Sequence, residues 1–425
     1  MEIILAVVFI VGYLFIALEH PFSINKAASA ILTGVLCWTI YALYSTDIES
    51  VNHHLSEHLS EIAGILFFLL GAMTIVELID SHNGFETITS RIKTSDKRKI
   101  LWIISIITFF LSAVLDNLTT AIVMTSLTRK LLHDRQERLL TVGMIVIAAN
   151  AGGAWSPIGD VTTTMLWIGG QITPANIIIK LILPSLICLL LPLIMITPKF
   201  KGHVNELASN DEQKPSVSAS ESTLVFGAGI ASLIMVPLFK TVTHLPPFLG
   251  ILLGLGIMWV ITEIIHRKKL PHHKNNLTVT RALERIDTSS ILFFLGILVA
   301  VACLESTGLL KLAAGWLDSS FGDLNAIVIT LGLLSSIIDN VPLVAASMGM
   351  YDLATYPTDH YLWEFLAYCC GTGGSCLIIG SAAGVAAMGM EKIDFFWYVK
   401  NVSLYALIGY LAGAFCYILM EPLFV

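Results

Sequence analysis

Long apolar runs alternate with short polar stretches along the whole 425-residue chain. Runs near 3–18, 27–44, 62–79, 176–197, 222–239, 248–265, 288–304 and 395–420 each approach the ~20 residues that an α-helix needs to cross a bilayer core. The pattern predicts an all-α polytopic membrane protein with ten or more crossings and short loops. The first run follows Met1-Glu2 directly, with no basic leader or small-residue cleavage site, and reads as a retained span.

Two interruptions in the first half break this regularity. Leu115-Asp116-Asn117 separates two apolar stretches of roughly 15 residues, each short for a crossing and flanked outside by basic residues, which predicts a re-entrant hairpin over about 100–132. The segment 139–168 is broken by Asn150-Ala-Gly-Gly-Ala-Trp-Ser-Pro-Ile-Gly-Asp160, whose glycines and proline cannot sustain a regular helix, and reads as an unwound span.

The second half repeats the first. Ile65-Leu-Phe-Phe-Leu69 recurs as Ile291-Leu-Phe-Phe-Leu295, Ser112-Ala-Val-Leu-Asp-Asn117 as Ser335-Ser-Ile-Ile-Asp-Asn340, and Gly152-Gly153 with Gly159 as Gly373-Gly374 with Gly380, at offsets of 226, 223 and 221. Three motifs in one order at nearly one offset define an internal duplication. It places one repeat at 1–200, a polar cytoplasmic linker at 201–221 and a second repeat at 222–425, with a second hairpin at about 325–352 and a second unwound span at 362–390.

Positive charge orients the array, because short cytoplasmic loops collect lysine and arginine. With both termini outside, the loops at 19–26, 80–99, 128–138, 198–221, 266–287 and 391–400 face the cytoplasm and carry 21 of the 24 basic residues, leaving Lys180, Lys240 and Lys311 near the outer face. Five crossings and one hairpin per half would insert the second half upside down, making the halves inverted repeats.

Composition agrees with this picture: 56% of residues are hydrophobic and 13% charged, which excludes an ordinary soluble domain and places the chemistry inside the bilayer. The net charge of −7 adds little, and no nucleic-acid partner is expected. The seven cysteines fall in or beside apolar runs with neither zinc nor disulfide spacing, and read as packing.

Asp116, Asp160 and Asp339 sit at breaks within apolar segments, where an ionised carboxylate costs about 3 kcal/mol or more unless partnered or wetted. Capping a half-helix is one role open to them, but a neutral Ser or Asn would cap at lower desolvation cost. The alternative is a cation site in which carboxylates, amides, hydroxyls and exposed carbonyls replace the water shell of a small hard ion such as sodium. Candidate oxygen donors are Asp116, Asn117, Asn150, Asp160, Thr162 and Thr163 in the first half, and Asp339, Asn340, Thr372 and Ser375 in the second; Ser112 and Ser335 lie one turn before their aspartates. Asp160 aligns with Ser381, so the third carboxylate has no twin. A carboxylate that holds either a proton or a sodium ion is the simplest route to antiport. Loop histidines His53, His54, His58, His272 and His273 read as a solvated face, and Glu77 and Glu305 as interfacial groups.

Glu19-His-Pro21, Ser112-Ala-Val-Leu-Asp-Asn-Leu-Thr-Thr120, Asn150 through Thr164, and Ile338-Asp-Asn-Val-Pro342 together resemble the NhaD-type sodium/proton antiporters of the ion transporter superfamily, over essentially the whole chain. The resemblance implies a homodimeric scaffold domain and a transport domain of hairpins and broken helices that moves as an elevator. Anion carriers of that superfamily place Ser-Asn-Thr at the tips, so Asp-Asn at both favours a cation. The expected activity is export of sodium, and of lithium, from the cytoplasm across the inner (plasma) membrane in exchange for protons, with no catalytic residue and no cofactor. An anion, dicarboxylate or arsenite carrier is the alternative within the class. An intramembrane aspartyl protease is a remote one, since Pro157-Ile-Gly-Asp160 lacks the first glycine of the Gly-x-Gly-Asp pattern.

Overall fold

The computed structural model describes residues 1–17, 19–22, 24–86, 94–204, 217–267 and 277–423. Among these the protein is helical throughout, apart from one isolated bridge between Asp96 and His203. Among the described residues, eight helices are long and apolar enough to cross a membrane. In chain order the helices are α1 (Glu2–Ala17), α2 (Lys26–Tyr44), α3 (Ile48–Ser81), α4 (Lys97–Leu115), α5 (Asn117–Leu131), α6 (Arg135–Ala154), α7 (Val161–Ile168), α8 (Pro174–Ile196) and α9 (Ala219–Thr243). The series continues with α10 (Pro247–His266), α11 (Val279–Arg285), α12 (Thr288–Ser306), α13 (Leu309–Phe321), α14 (Leu324–Leu334), α15 (Asn340–Met350), α16 (Tyr361–Gly373), α17 (Ala382–Glu391) and α18 (Phe395–Met420).

Short polar residues start these helices. Asn25, Asp47, Asp96, Asp134, Ser218, Asp287 and Asp323 each accept a bond from a first-turn N–H, satisfying donors that would otherwise be orphaned. The cap at Asp47 moves one boundary. It starts α3 some 14 residues before the apolar run at 62–79, so His53, His54 and His58 lie on a helix and not in a loop; Val51 on the same turn is buried. His272 and His273 lie outside the described residues, as does 205–216 of the expected linker. The linker's start is docked, with the Ser95 carbonyl accepting from the Val204 N–H at 2.8 Å.

Two kinds of break, each present twice, carry the design. α4 and α5 meet at the single residue Asp116, while α14 and α15 are joined by residues 335–339. α6 stops at Ala154 and resumes as α7 at Val161; α16 stops at Gly373 and resumes as α17 at Ala382. A further bend of 114° separates α13 from α14.

The same contacts hold both sets together. Ser112 Oγ donates to the Ala149 carbonyl (2.6 Å), and Ser335 Oγ to the Cys370 carbonyl (2.8 Å). A Cβ on Gly152 would lie 2.1 Å from the Phe109 carbonyl oxygen, and one on Gly373 1.9 Å from that of Gly332, so the backbones of α4 and α14 each pack onto a bare glycine of a broken helix. The sets interlock: α5 packs on α17 and α15 on α7, while α6 meets α16. To one side, α2 and α12 cross closely at Gly34 and Gly296, with Trp38 Nε1 donating to the Val299 carbonyl at 2.8 Å.

Candidate functional site: a carboxylate-lined cavity between the breaks

The α4–α5 and α14–α15 junctions and the α6–α7 break converge on one cavity of about 60 Å³. Asp116, Asp160 and Asp339 all line it, as do Asn117, Thr164 and Lys26. Its apolar wall includes Phe68, Leu69 and Phe294, which come from the repeated Ile-Leu-Phe-Phe-Leu segments. A cavity of this size holds one or two waters or a partly dehydrated small ion.

Asp160 is the hub. It is 2% exposed and caps α7, its Oδ1 accepting from the Thr162 N–H and hydroxyl, both at 2.8 Å. Its Oδ2 accepts from the amide of Asn117 at 2.5 Å and, from the other hairpin, that of Asn340 at 3.3 Å. Thr163 completes a capping box around the Asp160 backbone. Asn117 also donates to Asn150 Oδ1 (3.1 Å), and Asn150 Nδ2 donates to Ser375 Oγ and Ser381 Oγ, each at 2.9 Å. A buried chain of amides and hydroxyls therefore crosses between the halves, joining both tips and both breaks.

The tip aspartates differ from one another. Asp116 has φ +111°, a region that costs a residue with a Cβ about 1–3 kcal/mol. Its two oxygens accept from the Thr119 N–H and hydroxyl at 2.8 Å each. Asp339 has an ordinary φ of −50°, accepts from Val341 N–H at 3.3 Å, and receives Lys26 Nζ at 3.1 Å.

Of the expected oxygen donors, Asp116, Asn117, Asn150, Asp160, Thr162, Asp339, Asn340 and Ser375 thus lie in the cavity wall or in the network that meets it. Thr163 bonds backbone around Asp160, and Thr372 bonds back to the Tyr368 carbonyl at 2.6 Å. Ser112 and Ser335 face the carbonyls that dock hairpins onto broken helices. Two participants escape sequence reasoning. Ser381, the counterpart of Asp160, anchors Asn150 and caps α17. Lys26 left one signal: a cation in the first turn of a helix opposes the helix dipole and calls for a partner.

Comparison with known proteins supplies a family. Residues 3–371 match the family model described as "Citrate transporter". The chain is 47% identical to Sodium/proton antiporter 2 of Arabidopsis thaliana over 97% of its length and 98% of that protein, and equally identical to Sodium/proton antiporter 1, covering 73% of it. It is 29% identical to the Na(+)/H(+) antiporter NhaD of Alkalimonas amylolytica, over 96% of the chain and 88% of that protein. Among solved structures, the YdaH transporter of Alcanivorax borkumensis shares the fold, with a TM-score of 0.60 at 11% identity over 94% of this chain and 98% of that one. The chain thus belongs to the citrate-transporter family of multi-pass membrane transporters, within its branch of NhaD-related sodium/proton antiporters.

Proposed function

We propose that the protein exchanges sodium, and lithium, for protons, the cation binding between Asp116, Asp160 and Asp339. The observation that carries this reading is the meeting of three carboxylates on one small cavity, with amides from both hairpin tips converging on Asp160. Carboxylates and amide oxygens suit a hard monovalent cation, and each carboxylate can hold a proton in its place. Rotating the Asn117 and Asn340 amides would turn their oxygens into the cavity when a cation replaces the hydrogen bonds they now make. Sodium and protons then compete for one site, and alternating exposure of that site to the two sides gives antiport without a second pathway.

The halves act as inverted repeats in this reading. The interlocked hairpins and broken helices carry the site as an elevator against the α2–α12 side, in a homodimer in the plasma membrane, with both termini outside and sodium leaving the cytoplasm. Citrate, named in the family description, fits the cavity poorly. An anion would face three carboxylates, and the one lysine lining the cavity is already paired with Asp339.

Purified protein in acid-loaded proteoliposomes tests this directly. Sodium and lithium added outside should release protons, while potassium, choline and citrate should not. Silence with every cation in sealed vesicles, or citrate-dependent flux, would overturn the reading.

A further inference from the structure

The cavity that gathers the three aspartates also holds one ammonium group. Lys26 Nζ lies 3.1 Å from Asp339 Oδ2 and 4.4 Å from the centre of the Phe293 ring, with side-chain exposures of 24% for Lys26 and 16% for Asp339. Asp116, at the opposite tip, is satisfied by its own helix through Thr119. Among the described residues, only the second tip takes a cation from a different element. Among the described residues lining the cavity, Lys26 is the sole basic one.

The ammonium is held from behind. Asn25 caps α2, accepting from Ala27 N–H at 2.8 Å, and Ser289 Oγ at the start of α12 donates to the same Asn25 oxygen at 3.1 Å. Lys26 N–H donates to Glu19 Oε1 at 3.2 Å. The close crossing at Gly34 and Gly296 then fixes α2 against α12. Asp339, by contrast, belongs to the hairpin junction.

We infer that Lys26 is a tethered counter-ion that competes with the transported cation for the Asp339 carboxylate, and so sets the apparent sodium affinity of the site; this rests on the cation-exchange reading above. With the site empty, the ammonium neutralises Asp339 and spares the half-buried carboxylate the cost of standing unpaired. A sodium ion or a proton that takes Asp339 displaces the ammonium, which keeps the face of Phe293 as a weaker partner. Tyr13, Asp160 and, across the same cavity, Asp116 are further titratable groups near Asp339. If the pair is closed about 70–90% of the time, the free carboxylate fraction falls and the apparent dissociation constant for sodium rises about three- to tenfold.

The test uses the full-length protein and its Lys26→Gln and Lys26→Arg variants in proteoliposomes, with sodium and pH varied, and calorimetric sodium binding in detergent at alkaline pH. Lys26→Gln should lower the KM and the dissociation constant for sodium about three- to tenfold. Lys26→Arg, which keeps the charge, should stay within about twofold of wild type. Phe293→Leu, which removes the ring that keeps the displaced ammonium, should raise KM by about twofold and serves if Lys26→Gln does not fold. An unchanged KM in Lys26→Gln, an equal rise in KM in both lysine variants, or an unchanged KM in Phe293→Leu where Lys26→Gln fails to fold, overturns the role of Lys26. These failures differ from loss of the parent reading: wild-type vesicles with no sodium-dependent proton release would remove antiport, and this role with it.

Discussion

Asp116 occupies backbone space that suits glycine, with φ +111°. A cap alone does not account for an aspartate there, since glycine would relieve about 1–3 kcal/mol of strain and would also tolerate a helix start. The carboxyl group therefore has work beyond capping in the proposed site. Asp116→Gly should leave thermal stability equal to or above wild type in detergent and yet abolish exchange; retained exchange would return Asp116 to a purely structural role. Asp160 is constrained differently, by four donors from three elements. Asp160→Asn keeps the shape but sets amide against amide, so exchange should fall below detection in the vesicle assay. Asp339→Asn leaves Lys26 facing an amide and should be equally silent. Normal exchange in all three substitutions would sink the cation site.

At the scale of elements, α4 and the end of α14 seat on the broken helices α6 and α16 through bare glycines and two serine bonds. Gly152→Ala and Gly373→Ala would each drive a methyl group into a carbonyl of the facing hairpin, at 2.1 and 1.9 Å respectively, with no flexible side chain able to yield. Overpacking of this kind costs about 1–3 kcal/mol. Both variants should melt several degrees below wild type, whereas Gly256→Ala, whose Cβ would meet nothing within 4 Å, should not. Equal melting temperatures for all three would contradict the close seating. The breaks themselves follow from local chemistry. Pro157 lacks an N–H, and Asp160 and Ser381 cap the helices that resume after each break, so the unwound segments end in satisfied donors.

Across the whole molecule, charge pairs tie the two halves at the cytoplasmic end of the proposed topology. Glu391 at the end of α17, with a side chain only 3% exposed, binds Arg129 of α5 and, at 2.9 Å, Arg138 of α6. Removing the buried partner should cost more than removing either arginine, whose side chains reach solvent at 46% and 23%. Glu391→Ala should accordingly lower the melting temperature further than Arg129→Ala; the reverse order would show that the pair contributes through the arginine stems instead. Topology has its own check. A cysteine at His133, in a background free of the seven native cysteines, should react with an impermeant maleimide only from the cytoplasmic side, and one at Lys311 only from outside.

The helical class and the membrane setting were legible in the chain, because a bilayer admits only helices or closed barrels and demands apolar runs of one length. Asp-Asn inside two such runs, and glycines around Pro157, betrayed the sites where regular helix fails, since a charge or a missing donor is costly there wherever the rest of the chain lies. Other features needed the folded molecule. Asn150, Ser375 and Ser381 meet only because α6 packs on α16, and Ser112 and Ser335 turn out to bond backbone carbonyls 37 and 35 residues away. Lys26 and Asp339 are 313 residues apart, and nothing local to either sequence names the other. A span is specified by its own composition, which any stretch of sequence displays. An ion site is specified by which polar groups from distant spans are left facing one another after packing has used the apolar ones, and only the tertiary structure decides that.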